Sequence, residues 1–175
     1  MSQLRDEAEA LAKALEFGVC DVAEVIAWSD AQVLREDQPP FGWLCDVSLA
    51  RDLYPQDVAG MLRQCPGTPA KSNVSRLLVI LLNDRLKSGT GCSSRIASLL
   101  YKLTFANEIE DLHLREIARW IWDAIDDGEA GQIQETREQV FGEMADALDR
   151  AATDAATTWS FRVGEQDNSP RRPSA

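Results

Sequence analysis

Leu77–Leu82 reads LLVILL inside the longer stretch Ser72–Lys87, SNVSRLLVILLNDRLK, and the fold class turns on it. Six consecutive apolar residues fit either a buried strand or a helix that is apolar around its whole circumference. Leucine outnumbers the β-branched residues here, and polar helix formers (Asn83, Asp84, Arg85, Lys87) continue past the run. Helix is therefore the favoured reading and the strand its competitor. A helix apolar on every side belongs in the middle of a bundle. Ser72 or Asn73 is expected to cap it, since both side chains accept hydrogen bonds from first-turn N–H groups.

Working outward, the flanking sequence breaks into helical segments at glycine and proline. Upstream, Pro66, Gly67 and Pro69 make the clearest internal joint. Before it, a first helix is expected over Gln3–Phe17, with Leu4, Ala8, Leu11 and Leu15 on one stripe. Gly18 ends it, because glycine enters the left-handed C′ conformation without a Cβ clash. A second helix follows from a cap at Asp21 to about Asp37, with Val22, Val25, Ile26, Ser29 and Val33 inward. Pro39-Pro40 breaks the chain. A short third helix covers Trp43–Arg51, and Pro55 opens a fourth to about Gln64, burying Val58, Met61 and Leu62.

Downstream, Ser88–Ser94 (SGTGCSS) resembles a phosphate loop only superficially. The GxxxxGK[ST] spacing is missing, and a helix–helix connection accounts for it. A sixth helix is expected over Ser94–Phe105 and a seventh over Leu112–Asp127, with Leu114, Ile117, Ala118, Ile121 and Ile125 in a stripe and Trp120 and Trp122 on its flanks. Gly128 and Gly131 are expected to end it. An eighth, about Gln132–Thr157, presents Ile133, Val140, Met144, Ala147, Leu148 and Ala151. The expectation is an all-α, single-domain bundle or short curved stack of about eight helices over residues 1–161. Leu78, Ile80, Leu81, Ile117, Ile121 and Ile125 form its core. Residues 162–175, polar and carrying Pro170 and Pro173, are expected to be a disordered tail.

Composition narrows the function classes. Of 175 residues, 45% are hydrophobic, enough for a full core. The formal charge of −11 is unevenly spread: residues 1–64 carry 12 acids and 5 bases, residues 65–104 one acid and six bases, and residues 105–160 fourteen acids and four bases. Such acidity disfavours nucleic acid and suits a basic protein partner. The longest apolar run is far short of the roughly 20 residues that cross a bilayer. With charges at Arg5, Asp6, Glu7 and Glu9, no secretory leader is expected. The expected protein is soluble and cytoplasmic, with no membrane partner and a monomeric or homodimeric state.

Chemistry-bearing motifs are sparse. Cys20, Cys45, Cys65 and Cys92 lie 20 to 27 residues apart, without a CxxC pair, so free thiols are expected and neither a zinc site nor another metal or cofactor. His113 is the sole histidine, set among the acids of EDLHLRE, which leaves most Ser-His and Cys-His schemes without a base. A solvated or capping role fits it. Glu110-Asp111 and Asp126-Asp127 lack any HExxH or DxDxDG arrangement. No catalytic residue is expected, and the protein is read as a non-enzyme.

The candidate site is a run of acids that local structure does not need. Glu108, Glu110, Asp111 and Glu116 precede or enter the first turns of the seventh helix, where negative charge meets the positive end of the dipole. Asp123, Asp126, Asp127 and Glu129 sit at the opposite end, where each exposed acid is unfavourable by roughly 0.3–1 kcal/mol at low salt. No Lys or Arg lies between Arg119 and Arg137 to offset them. Solubility is the plain explanation. A partner-binding surface for a basic protein is the functional one.

A resemblance gives that partner a class. Within Leu15–Ala50, the pattern Leu15, Glu16, Gly18, Val25, Ile26, Trp28, Ser29, Asp30, then Pro39-Pro40 and DVSLA (Asp46–Ala50), resembles small acidic helical bacterial proteins. Some of these are similar to immunity proteins of contact-dependent or secreted toxin systems. The likeness covers about a fifth of the chain and its positions are mostly core types. It implies stoichiometric neutralisation of a cognate toxin with a basic surface, and carries over no contact residue. A helical scaffold or adaptor without inhibitory role is the alternative.

Overall fold

The computed structural model describes residues 2–35, 42–89, 92–129 and 134–156, with side chains described except at 2, 124–129, 134–138 and 156. Eight helices are present and no strand occurs among the described residues: α1 (Ser2–Phe17), α2 (Val22–Val33), α3 (Gly42–Ser48), α4 (Pro55–Leu62), α5 (Lys71–Lys87), α6 (Ser93–Phe105), α7 (Leu112–Glu129) and α8 (Gln134–Ala156). The class is all-α, and no helix among the described residues is long and apolar enough to cross a membrane.

α5 is the helix reading of LLVILL. Every residue from Val74 to Asn83 except Arg76 is buried, because α1, α6 and α8 all pack on it. Its start corrects the sequence expectation. Neither Ser72 nor Asn73 caps it; the N-cap is Ala70, without a side-chain bond of its own. The cap comes from α1 instead. Asp6, 1% exposed, accepts from the Ala70 N–H at 2.7 Å and from Asn73 Nδ2 at 2.8 Å.

α1 differs most from its reading as a helix with one apolar stripe. From Arg5 to Leu15 it is buried on every side, except for half-exposed Lys13. Several of its charges are paired, the more buried of them because an ion out of water needs a partner. Arg5 reaches Glu9 at 2.9 Å, Lys13 reaches Glu108 at 2.7 Å, and Arg63 of the turn after α4 holds Glu16 through two bonds of 2.5 and 2.7 Å. Gly18, at φ +74°, closes the helix in a Schellman arrangement, with Gly18 N–H to Leu15 O at 3.1 Å and Val19 N–H to Ala14 O at 2.7 Å.

α2 and α3 pair through Trp28 and Trp43, whose ring centroids lie 6.4 Å apart, and through Ser29 Oγ donating to Leu44 O at 2.7 Å. Asp21 caps α2 as expected, in a full capping box with Glu24. α2 ends at Val33, short of the expected Asp37, and residues 36–41, with Pro39-Pro40, lie outside the described residues. Val25 and Ser29 are buried, Val22, Ile26 and Val33 only half-buried, and Trp28 takes the remaining inward position.

α7 passes through Gly128 to Glu129, so that glycine does not end it; Gly131 and Ile133 lie outside the described residues. Leu78, Ile80, Leu81, Ile117 and Ile121 are all core. Ile125 lies outside the described side chains, and the expected tail, 162–175, outside the described residues.

Candidate functional site

α7 buries Leu114, Ile117, Ala118 and Ile121. At 3.6 residues per turn, the opposite side is then the stripe Leu112, Glu116, Arg119 and Asp123, all four exposed. Two flanks border that stripe. Toward α6, Trp122 stacks on Tyr101 at 4.4 Å with planes 12° apart, and Tyr101 lies 6.4 Å from Phe105. Phe105 is 83% exposed and Trp122 40%. Toward α8, Trp120 is likewise 40% exposed, and His113 Nε2 lies 3.5 Å from an Arg150 Nη nitrogen. That contact joins the start of α7 to the later part of α8, so the two helices are antiparallel. Counting along both, Trp120 comes level with the exposed acids Glu143 and Asp146.

The flanks differ in charge. Around Trp120 stand Glu116, Asp123, Glu143 and Asp146. Beside Tyr101, Phe105 and Trp122 stand Arg115 and Arg119. Among the described residues none of these six charged side chains enters an ion pair, whereas Arg5, Glu9, Lys13 and Glu16 of α1 all do. Tryptophan is a residue type enriched in protein-binding hot spots, and exposed charges around one belong to the polar rim of such a surface.

Of the sequence-selected acids, Asp123 is exposed on the outward stripe. Asp126, Asp127 and Glu129 belong to α7, but their side chains lie outside those described. Sequence reasoning missed the acids from α8, Glu143 and Asp146, because nothing in the chain pairs them with α7. Glu116 had a sufficient local reason in the helix dipole, and Trp120 was read as flank packing. Of the first-turn acids, Glu108 is drawn inward to Lys13 and Asp111 caps α7, accepting from the Leu114 N–H at 2.9 Å.

Other reactive groups are spent on the fold. Glu7, 4% exposed, accepts from Trp28 Nε1 at 3.2 Å and from Gln3 Nε2 at 3.0 Å; burial pushes its carboxyl above the ordinary value. The Cys20 thiol, half-buried beside Leu11, is pushed up to about 12, chiefly by desolvation, and is no nucleophile. Cys92 is exposed, and the Ser94 hydroxyl beside it holds its thiol below the usual range. All four cysteines are free. A cleft of about 340 Å³ between the C-terminal ends of α1 and α5 is lined by Leu11, Val19, Leu81 and Asp84, with Arg85 bound to Glu24 at its rim. In the SGTGCSS loop, residues 90–91 lie outside the described residues, and Lys87 before it is paired with Asp149. Among the described residues, no group of three or more His, Cys, Asp and Glu side chains is placed to hold a metal.

Comparison with protein-family models, with curated proteins and with solved structures finds no match to this chain.

Proposed function

We propose that this chain is a binding protein of the immunity type, which neutralises a cognate bacterial toxin by covering a basic surface on it in stoichiometric complex. One observation carries the reading: Glu116, Asp123, Glu143 and Asp146 are exposed and outside any ion pair among the described residues, and helical spacing with the antiparallel run of α7 and α8 brings them level with exposed Trp120. Acids outside any ion pair steer a cationic protein toward them, and a tryptophan beside them supplies apolar area once the partner is docked. The acids of the last turns of α7, Asp126, Asp127 and Glu129, extend the same charge along the helix. The net charge of −11 points in the same direction.

The test is capture of the tightest partner from the source cell, followed by titration of that partner's own activity. Inhibition complete at one equivalent supports the reading. A partner whose activity persists at saturation assigns the chain to scaffolding instead. Reversing Asp126 and Asp127 to lysine should weaken the complex mainly through slower association at low salt. It should also slightly stabilise the isolated chain by relieving the dipole end of α7. Unchanged association would remove these acids from the interface.

A further inference from the structure

α1 and α5 run parallel. Asp6, near the start of α1, holds Ala70 and Asn73 at the start of α5, and Val19, just past the end of α1, accepts from Arg85 Nε in the last turn of α5 at 2.7 Å. The two C-terminal ends therefore lie at one end of the bundle, and the cleft of about 340 Å³ opens between them. Buried Leu11, Val19 and Leu81 make its apolar floor. Half-buried Cys20 adds a thiol that desolvation keeps protonated, so this wall carries no charge. Leu81, Asp84 and Ser88 follow one another at helical spacing along one edge of α5, buried at Leu81 and exposed at Asp84 and Ser88.

Charge at the cleft is uneven. Arg85 is held by the Val19 carbonyl and by Glu24, and Lys87, one turn on from Asp84, is bonded to Asp149. Among the described residues the Asp84 carboxylate enters neither an ion pair nor a hydrogen bond. Burial pushes its carboxyl above the ordinary value of 3.8 and Lys87 pulls the other way, as for an acid that loses water without gaining a partner. α5, whose C-cap is Ser88, turns the negative end of its dipole toward the same rim.

We propose that this cleft binds a small organic cation, an alkyl- or aralkylammonium whose charged head pairs with Asp84 and whose apolar body lies on Leu11, Val19 and Leu81. The floor takes hydrocarbon because covering it removes apolar surface from water. The ammonium brings three donors to a rim that offers the Asp84 carboxylate, the Ser88 hydroxyl oxygen and the C-terminal end of α5. An anion would meet Asp84, Glu24 and the same dipole end, and Arg85, the cation that could receive it, is already bound. Protonated Cys20 supplies neither a nucleophile nor a thiolate for a metal. The volume is at the lower end of the range for ligand sites, so the molecule is small. This site lies off the α7–α8 face and does not depend on the inhibitor reading.

The probe is n-hexylammonium, titrated into the full chain with isotope-labelled methyl groups and followed by NMR. The Leu11, Val19 and Leu81 methyl resonances should shift saturably, and butylammonium should bind more weakly because it covers less of the floor. Asp84→Asn, of the same shape and at an exposed position, should weaken binding by about tenfold, the worth of one hydrogen bond to a charged group. Circular dichroism checks that this variant keeps its fold. Hexanol, which has the body without the charge, should be weaker by a similar factor, and hexanoate should not bind. Absence of saturation by about 10 mM, or shifts confined to residues outside the cleft, overturns the proposal. Equal affinity for hexylammonium and hexanol, or an affinity that Asp84→Asn leaves unchanged, overturns the pairing with Asp84 and the proposal with it. Shifts that methylammonium reproduces at the same concentration belong to ionic strength alone and overturn it equally.

Discussion

Asp6 of α1 accepts the backbone N–H of Ala70 at 2.7 Å and thereby caps a helix that begins more than sixty residues later in the chain. The carboxylate is 1% exposed and its second oxygen takes Asn73 Nδ2. One side chain thus supplies the N-terminus of α5 and the seam between the two most buried helices. Asp6→Ala removes both bonds and leaves two partly buried donors without this acceptor, so it should destabilise the protein by about 1–3 kcal/mol in urea unfolding. Ser72→Ala, at the residue the sequence offers as a cap, should change stability by less than about 0.5 kcal/mol. The reverse ranking would contradict the cap.

Core truncation tests the α7 stripe. Ile121 is 1% exposed and faces the bundle, whereas Asp123, two residues on, is exposed. Ile121→Ala should cost about 2–5 kcal/mol through lost burial and the cavity left behind. Asp123→Ala should stay within about 0.5 kcal/mol. Equal effects at the two sites would mean that the helix is rotated from the orientation described.

Burial raises the Glu7 carboxyl above its ordinary value of 4.5, against hydrogen bonds from Trp28 and Gln3 that act in the opposite sense. A raised folded-state pKa means that the folded chain holds this proton more tightly than the unfolded chain. Between 4.5 and that raised value the folded state binds the extra proton, so its stability falls as pH increases. Glu7→Gln lacks the titrating group. The melting temperature of wild type relative to Glu7→Gln should therefore be higher near pH 5 than at pH 7. A difference that is flat with pH, or grows as pH rises, would refute a destabilising buried carboxylate.

Thiol reactivity separates the cysteines by environment. Cys92 is exposed with its thiol held low, while Cys20 is pushed up to about 12. In the native protein near pH 8 a thiol reagent should label Cys92 first, and Cys92→Ser should abolish that fastest phase. Cys20 should react only on unfolding, when all four thiols become titratable. Early labelling of Cys20 would mean that the seam between the ends of α1 and α5 opens in solution.

Much of the secondary structure is legible in the chain because its causes are local. Gly18 stops α1, Asp21 and Glu24 box the start of α2, Pro55 opens α4, and LLVILL needs burial on all sides. Each of these rests on residues within one or two turns. Where a local signal competed with a distant one, the local reading failed. Ser72 and Asn73 are good caps in isolation, but the helix begins ahead of them at Lys71, where Asp6 holds the Ala70 N–H and the Asn73 amide. Gly128 is a good stop, yet α7 continues through it to Glu129.

The candidate site divides the same way. The surplus of acids along 105–160 and the amphipathic period of α7 follow from the order of residues alone. That Glu143 and Asp146 join Glu116 and Asp123 around Trp120, while Tyr101 stacks on Trp122 across the helix, depends on α8 lying on one side of α7 and α6 on the other. Periodicity gives the direction a side chain takes from its own helix axis, never the identity of the helix beside it. The chain by itself therefore determined the helices and the apolar stripes they bury, though not that α1 is buried on every side. Only the tertiary structure decided which charges are consumed in pairs, as along α1, and which are left exposed on α7 and α8, because pairing is a property of neighbours brought together by burial of the apolar faces.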